Sequence, residues 1–234
     1  MSKLTKKMLA AFGKTAIGRT FNNIRFKNKF VNAAGYWEKR YFNQGTSGNG
    51  SYGDSAVYKA NIINQFISEH HIEQVTDFGC GDGNQLQYFQ FPRYIGLDVS
   101  ATALKKCTDL FKADSTKTFV LYNPGVFLSQ LDLFRSELVL SLDVIYHLVE
   151  AKVFEEYMHH LFACSTRFVI IYAWDVKGKQ NFHVKHQEFT KWISKHQTAW
   201  FLKQKIEPLH LPGACDFFIY EKCSDTSSTG LNHL

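Results

Sequence analysis

The sequence predicts one α/β domain on a doubly wound, seven-stranded, mostly parallel sheet, with a C-terminal antiparallel hairpin and an N-terminal helical extension. Three observations lead there. Five short apolar segments alternate with stretches of helical periodicity between residues 74 and 196. The first of them runs directly into a glycine-rich turn, Gly79-Cys-Gly81-Asp-Gly83. Two later strand-like segments are separated by Pro208 and a Pro212-Gly213 turn that suits a hairpin. With 234 residues, 45% of them hydrophobic, the chain suffices for one such domain and not for two.

The elements follow in order. Residues 1–35 form a basic arm whose apolar residues recur at partly helical spacing, and residues 36–223 form the domain. Asp54 to His70 reads as a helix, with an Asp-Ser start and Ala56, Ile62, Ile63, Phe66 and Ile67 on one face. Strands are predicted at 74–78, 94–98, 118–122, 137–142 and 168–173, and the hairpin strands at 200–206 and 215–222. Helical segments are predicted at 84–89, 101–107, 151–164 and 189–196, and a flexible tail at 224–234.

Charge is unevenly spread. The net charge is +6, yet residues 1–37 carry eight lysines and arginines and no acid, which leaves the rest at −2. The basic, apolar-interleaved arm suits peripheral contact of residues 1–32 with an anionic membrane, each exposed cation adding about 1 kcal/mol. Nucleic acid and a targeting segment are the other readings. The body lacks a basic stripe, so no strong nucleic-acid signature exists. No apolar run approaches the roughly 20 residues of a membrane span. Five scattered cysteines without a CxxC pair argue against zinc or a disulfide framework and for a cytoplasmic protein.

The glycine turn carries the chemistry. Glycines let main chain approach a ligand closely, and Asp98, which ends the second strand, can accept both hydroxyls of a ribose. A dinucleotide site would place its third glycine differently and would avoid Asp77 and Asp82, which repel a pyrophosphate. Those acids suit a ligand bearing an ammonium and a sulfonium. Gly45 to Gly53 lacks the GK[ST] of a phosphate loop and reads as a mobile lid that orders on binding.

The turn resembles the first motif of class I S-adenosylmethionine-dependent methyltransferases, and Asp98 resembles their second. The run Glu137 to Glu150 looks like their fourth motif and its extension. Together with Tyr36-Trp-Glu-Lys-Arg-Tyr41 and Ser51-Tyr-Gly53, these residues make the chain, over about 36–223, similar to small bacterial methyltransferases of glycan or secondary-metabolite pathways. The resemblance implies a Rossmann-like methyltransferase fold with S-adenosyl-L-methionine as cofactor. Asp77 would then orient the methionine end, Gly79, Cys80 and Gly81 would line the cofactor beside Val99 and Leu142, and Asp98 would hold its ribose. The third-motif acid that contacts adenine has no obvious counterpart; Asn123 is the nearest equivalent, with Asp114 as the other choice. Arg40 can pair with the cofactor's carboxylate.

Asp143 and His147, four apart at the end of the fourth strand, are the candidate bases for an oxygen nucleophile. A helix cap and a packing histidine are the structural alternatives. Tyr52, His183, His186 and Asp216 are candidate substrate contacts; His183, His186 and Glu188 lack a second cluster, so no metal is predicted. The expected reaction is O-methylation of a sugar, glycolipid or other small-molecule hydroxyl. A nucleic-acid or protein methyltransferase and a non-catalytic cofactor-binding module are the alternatives; the fourth strand lacks the N/D-PP-Y/F tetrapeptide of many nucleic-acid methyltransferases.

Overall fold

The computed structural model describes residues 32–178, 183–208 and 213–224. Most of the basic arm, most of the tail and the hairpin connection at 209–212 lie outside the described residues. The elements are α1 (Ala33–Phe42), α2 (Gly53–His70), β1 (Gln74–Phe78), β2 (Arg93–Asp98), α3 (Ala101–Leu110), β3 (Lys117–Leu121), α4 (Pro124–Phe127), β4 (Ser136–Leu142), α5 (Ala151–Cys164), β5 (Ser165–Ala173), α6 (Phe189–His196), β6 (Trp200–Ile206) and β7 (Asp216–Lys222).

The seven strands form one sheet in the order β3-β2-β1-β4-β5-β7-β6. β1 to β5 run parallel, whereas β7 is antiparallel to both β5 and β6. The expected hairpin therefore folds back so that its second strand, rather than its first, inserts beside β5.

Both faces of the sheet are covered, and strand parity assigns each residue to one of two cores. Leu138, Leu140, Phe168, Ile170, Phe217 and Ile219 point towards Ile63, Phe66 and Ile67 of α2. The intervening Val139, Val169, Ile171 and Phe218 point the other way, onto Phe154, Met158 and Leu161 of α5 and Phe189 of α6. Complete burial of such a side chain stabilises by about 1.5–3 kcal/mol, so these central strands anchor the domain.

Boundaries differ from expectation where capping or pairing extends an element. The 101–107 segment continues to Leu110 as α3, started by the Ser100 hydroxyl, which accepts the Ala103 N–H at 3.0 Å. The 84–89 helix shrinks to one 3-10 turn, Gln85–Tyr88. β5 begins at Ser165 rather than 168 because Ser165 still pairs with Ser136. The short α4 went unforeseen; Asn123 caps it by accepting Gly125 N–H at 3.1 Å, and Pro124 fixes its first turn.

The order of strands also places the site. Connections leave β1 towards β2 on one side, while β4 lies on its other side. Such a reversal opens a crevice beyond the carboxyl ends of these strands.

Candidate functional site

A cavity of about 420 Å³ occupies that crevice. Asp77 from β1, Asp98 at the end of β2, and Leu142 and Asp143 at the end of β4 reach it, and α1 closes it with Ala33, Trp37 and Tyr41. Gly79, Cys80, Gly81, Val99, Asn123 and His147 line it as well.

The glycine turn is fastened to the end of β2. The N–H groups of Gly79 and Cys80 donate to the Leu97 carbonyl at 2.7 and 3.1 Å, and Gly81 N–H donates to Asp98 Oδ2 at 2.9 Å. Gly79 has φ 87, and a Cβ there would stand 2.5 Å from Val144 Cγ2; Gly81 has φ 63, and its Cβ would run into the Ser47 hydroxyl. Both positions need glycine twice over, for backbone hand and for space.

Burial sets the charges. Desolvation pushes Asp77 up to about 7, against the opposing pull of the Tyr94 hydroxyl, which donates to its Oδ2 at 2.8 Å. Burial likewise raises Asp98 to about 6, opposed by the N–H groups of Ser100 and Gly81. The Cys80 thiol is held protonated, first by its hydrogen bond with Cys107 and then by burial, so it is no nucleophile.

Two acceptors in this cavity wall have no donor. Asp77 Oδ1 and Gln85 Oε1 are buried without a hydrogen-bond partner. The Gln85 amide is oriented by its Nε2, which donates to the Ala56 carbonyl at 2.9 Å. Orphaned buried acceptors are costly, about 1–3 kcal/mol each. Ligand N–H groups would satisfy such acceptors, and Asp98 remains able to accept hydroxyls. Ligand donors therefore fit the residues present.

The acid and the imidazole after β4 part ways. Asp143 is a left-handed residue, φ 62, whose Oδ2 lies 2.6 Å from the Lys59 ammonium and whose Oδ1 accepts the Tyr146 hydroxyl at 2.8 Å. A carboxylate so occupied is poorly placed to serve as a base, and it does not cap the following turn. His147 donates from Nδ1 to the His183 carbonyl at 2.9 Å; a carbonyl only accepts, so Nε2 keeps its lone pair. Burial depresses this imidazole to about 4.

Several sequence expectations are corrected. The Arg40 guanidinium does not line the cavity: Nε donates to the Thr46 carbonyl at 2.6 Å and the group lies over the Trp37 ring. Asp216 pairs with Lys205 at 2.9 Å on the outer strands, away from the cavity. Tyr52 spends its hydroxyl on Asp82 at 2.8 Å, and burial pushes it up to about 12. His186 packs edge-on to Trp174, with ring centroids 5.2 Å apart, whereas His183 stacks on Tyr36 and His147. Asn123 lines the cavity, but its Oδ1 is engaged as the α4 cap. Asp114 bonds Thr116 outside the cavity. Among the described residues no cluster of three or more histidine, cysteine or acidic side chains is arranged to hold a metal ion.

The segment expected as a lid is fastened to the glycine turn and to α3. Asp82 accepts from Ser47 N–H at 3.0 Å, Ser47 Oγ at 2.8 Å and Tyr52 Oη, while Lys106 holds the Gly45 carbonyl at 3.0 Å. Glu38 of α1 accepts from the Ser100 hydroxyl at 2.6 Å and from Thr102, clasping the start of α3. Asp82, expected to suit a ligand cation, instead spends its oxygens on Ser47 and Tyr52, and Lys59, Gln85 and Glu38 escaped the sequence reading because charged and amide side chains on helices and turns ordinarily read as solvated.

No family model and no curated protein sequence matches the chain. Solved structures do. The N-methyltransferase NodS from Bradyrhizobium japonicum, in complex with S-adenosyl-l-homocysteine, superposes with a TM-score of 0.63 at 12% identity, covering 82% of this chain and 99% of NodS. A SAM-dependent methyltransferase from Anabaena variabilis gives 0.60 at 18% identity, over 82% of this chain and 96% of its own. Magnesium protoporphyrin IX methyltransferase (ChlM) from Synechocystis, with bound SAM, gives 0.59 at 13%, over 82% and 98%. The chain thus has the Rossmann-like fold of class I S-adenosylmethionine-dependent methyltransferases.

Proposed function

We propose that this chain is an S-adenosylmethionine-dependent methyltransferase that methylates a hydroxyl of a sugar, glycolipid or other small molecule. The observation that carries the reading is the pair of orphaned acceptors, Asp77 Oδ1 and Gln85 Oε1, in the wall of a cavity whose ribose-binding acid, Asp98, stands at the glycine turn. The fold shared with NodS and ChlM supports it.

Asp77 and Gln85 would hold the ammonium of the methionine end, and Asp98 would hold the ribose hydroxyls. Val99 and Leu142 supply apolar wall, and Gly79 and Gly81 bare the main chain to the ligand. When bound, S-adenosylmethionine supplies an electrophilic methyl group on a sulfonium. The protein's part is then orientation, exclusion of water and acceptance of a proton. His147 Nε2 accepts the hydrogen bond of the incoming hydroxyl and takes its proton, because the Nδ1 bond to His183 fixes the required tautomer. Asp143 holds the turn that carries His147.

The basic arm supports a second feature of this reading. Asn32, its last residue before α1, lies on the cavity wall. Peripheral contact of residues 1–32 with an anionic bilayer would bring a glycolipid acceptor to the cavity. No described helix is long and apolar enough to cross a membrane. Flotation with anionic vesicles, with and without residues 1–32, tests this; equal flotation rejects it.

The test of the main reading is calorimetry with S-adenosylhomocysteine and with a pyridine dinucleotide. The first should bind and the second should not. Incubation with labelled S-adenosylmethionine and pooled hydroxyl acceptors, followed by mass spectrometry, then identifies the product; binding without transfer would favour a cofactor-binding module.

A further inference from the structure

We infer that Lys59 is a positioning residue for the methyl-transfer end of the cavity: its ammonium, locked on Asp143, holds the 143–147 turn and, through it, the His147 ring. This rests on the methyltransferase reading for its functional meaning, but the geometry stands on its own.

Lys59 projects from α2 and is 1% exposed. Its Nζ lies 2.6 Å from Asp143 Oδ2 and 5.2 Å from the Tyr172 ring centroid. A lysine so deeply buried requires a compensating charge. Asp143 requires one too: among the lining residues described, Lys59 is the only lysine or arginine.

Asp143 is also strained. Its φ of 62 is a left-handed conformation, which a non-glycine residue keeps only where its surroundings dictate it. Three contacts dictate it here. Lys59 holds Oδ2, the Tyr146 hydroxyl holds Oδ1, and Asp143 N–H donates to the Tyr172 carbonyl at 3.0 Å. Gly50 seals the arrangement from above, since a Cβ at that position would stand 2.7 Å from Oδ2.

From this anchored residue the chain makes one tight turn. Val144 abuts Gly79, and His147 N–H donates back to the Val144 carbonyl at 2.8 Å. The direction in which His147 leaves the turn is thus set by the backbone of Asp143, which Lys59 fixes from α2. The imidazole then completes its seat against the His183 carbonyl, and the charged or titratable groups acting on it are His183, Asp143 and Arg40.

Histidine side-chain NMR on the full chain tests this without an acceptor. The signals are assigned with His147→Gln, and the variants are Lys59→Met, Lys59→Arg and the double variant Lys59→Met/Asp143→Asn. Wild type should show His147 as the Nδ1–H tautomer. Lys59→Met should lose that single tautomer, and Lys59→Arg should restore at least half of it. The double variant removes both charges, so a change there reports geometry rather than net charge. It also remains readable should the single Met variant fail to fold. In the folded variants the tautomer alone decides, because the Lys59 charge also favours ionisation of Asp77 and its loss shifts S-adenosylhomocysteine affinity independently. An unchanged His147 tautomer in the double variant overturns the inference. Absence of S-adenosylhomocysteine binding in wild type would instead overturn the cofactor reading, with the tautomer result still deciding this one.

Discussion

The Tyr94 hydroxyl donates to one oxygen of Asp77 at 2.8 Å, while the other oxygen of that buried carboxylate has no partner. Half of the group is thus satisfied by the fold and half is left for a ligand. Burial pushes Asp77 up to about 7, so in the ligand-free protein it is partly protonated near neutrality.

The sign of its pH dependence follows. Between its ordinary value of 3.8 and about 7, the folded state binds more protons at Asp77 than the unfolded state. This group's contribution to the stability of the free protein therefore falls as pH rises across that window. A ligand ammonium prefers the ionised carboxylate, so affinity for S-adenosylhomocysteine should rise from pH 5.5 to pH 8 with proton release. Calorimetry in buffers of different ionisation enthalpy measures both. Tyr94→Phe removes a bond that favours ionisation and should move the midpoint up by roughly one unit. A flat affinity profile would contradict the assignment of Asp77.

Gly79→Ala should abolish S-adenosylhomocysteine binding. The new methyl would stand 2.5 Å from Val144 Cγ2 on a backbone with φ 87. Either the β1 turn or the 143–147 turn must move, at a cost of about 1–3 kcal/mol from overpacking, with left-handed strain of similar size added. Gly83→Ala makes a useful comparison: it is strained as well, φ 81, but its Cβ meets Cys107 and Phe111 at 3.1 and 3.2 Å rather than the turn that carries His147. It should lower the melting temperature while retaining measurable binding.

Asp82 gathers the 45–53 segment into the closed arrangement. Asp82→Asn leaves the shape but removes the charge that Ser47 and Tyr52 donate to. Hydrogen bonds to a charged group contribute about 1.5–3 kcal/mol each. Amide exchange in residues 46–53 should accelerate at least tenfold, and S-adenosylhomocysteine should dissociate faster. Exchange unchanged from wild type would show that packing of α1, rather than Asp82, holds the segment.

These residues also mark where sequence reasoning reached and where it stopped. β1 and β6 have the predicted bounds because each carries a strand-length apolar pattern between clear breakers. The placement of Asp77, Asp98, Gly79 and Gly81 in the cavity wall is legible because it follows from backbone hand and from strand ends, which spacing reports. Side-chain direction is not written in spacing. Arg40 could be placed near the cavity, yet it turns its guanidinium to a backbone carbonyl and to Trp37. Lys59 sits in a helix where a lysine ordinarily faces water, and only its partner 84 residues away explains its burial. Gln85 was hidden for the same reason: its significance lies in an oxygen that nothing in the chain satisfies.

His147 gives the most direct test of chemistry. Burial depresses it to about 4, so it is neutral throughout the physiological range and holds a free Nε2. As pH falls from 6.5 to about 4 the unfolded chain takes a proton before the folded one, and this group's share of stability is lost across that window. In turnover, His147 should contribute no ascending limb between pH 6 and 8; a limb near 7 belongs to Asp77. His147→Ala should leave the S-adenosylhomocysteine dissociation constant within threefold and reduce kcat by about 10²–10⁴, the usual span for a lost acid–base group. The measurement uses whichever hydroxyl acceptor takes up label from S-adenosylmethionine. A variant with unchanged kcat would mean that the acceptor loses its proton to solvent, and that the imidazole serves only as a wall of the cavity.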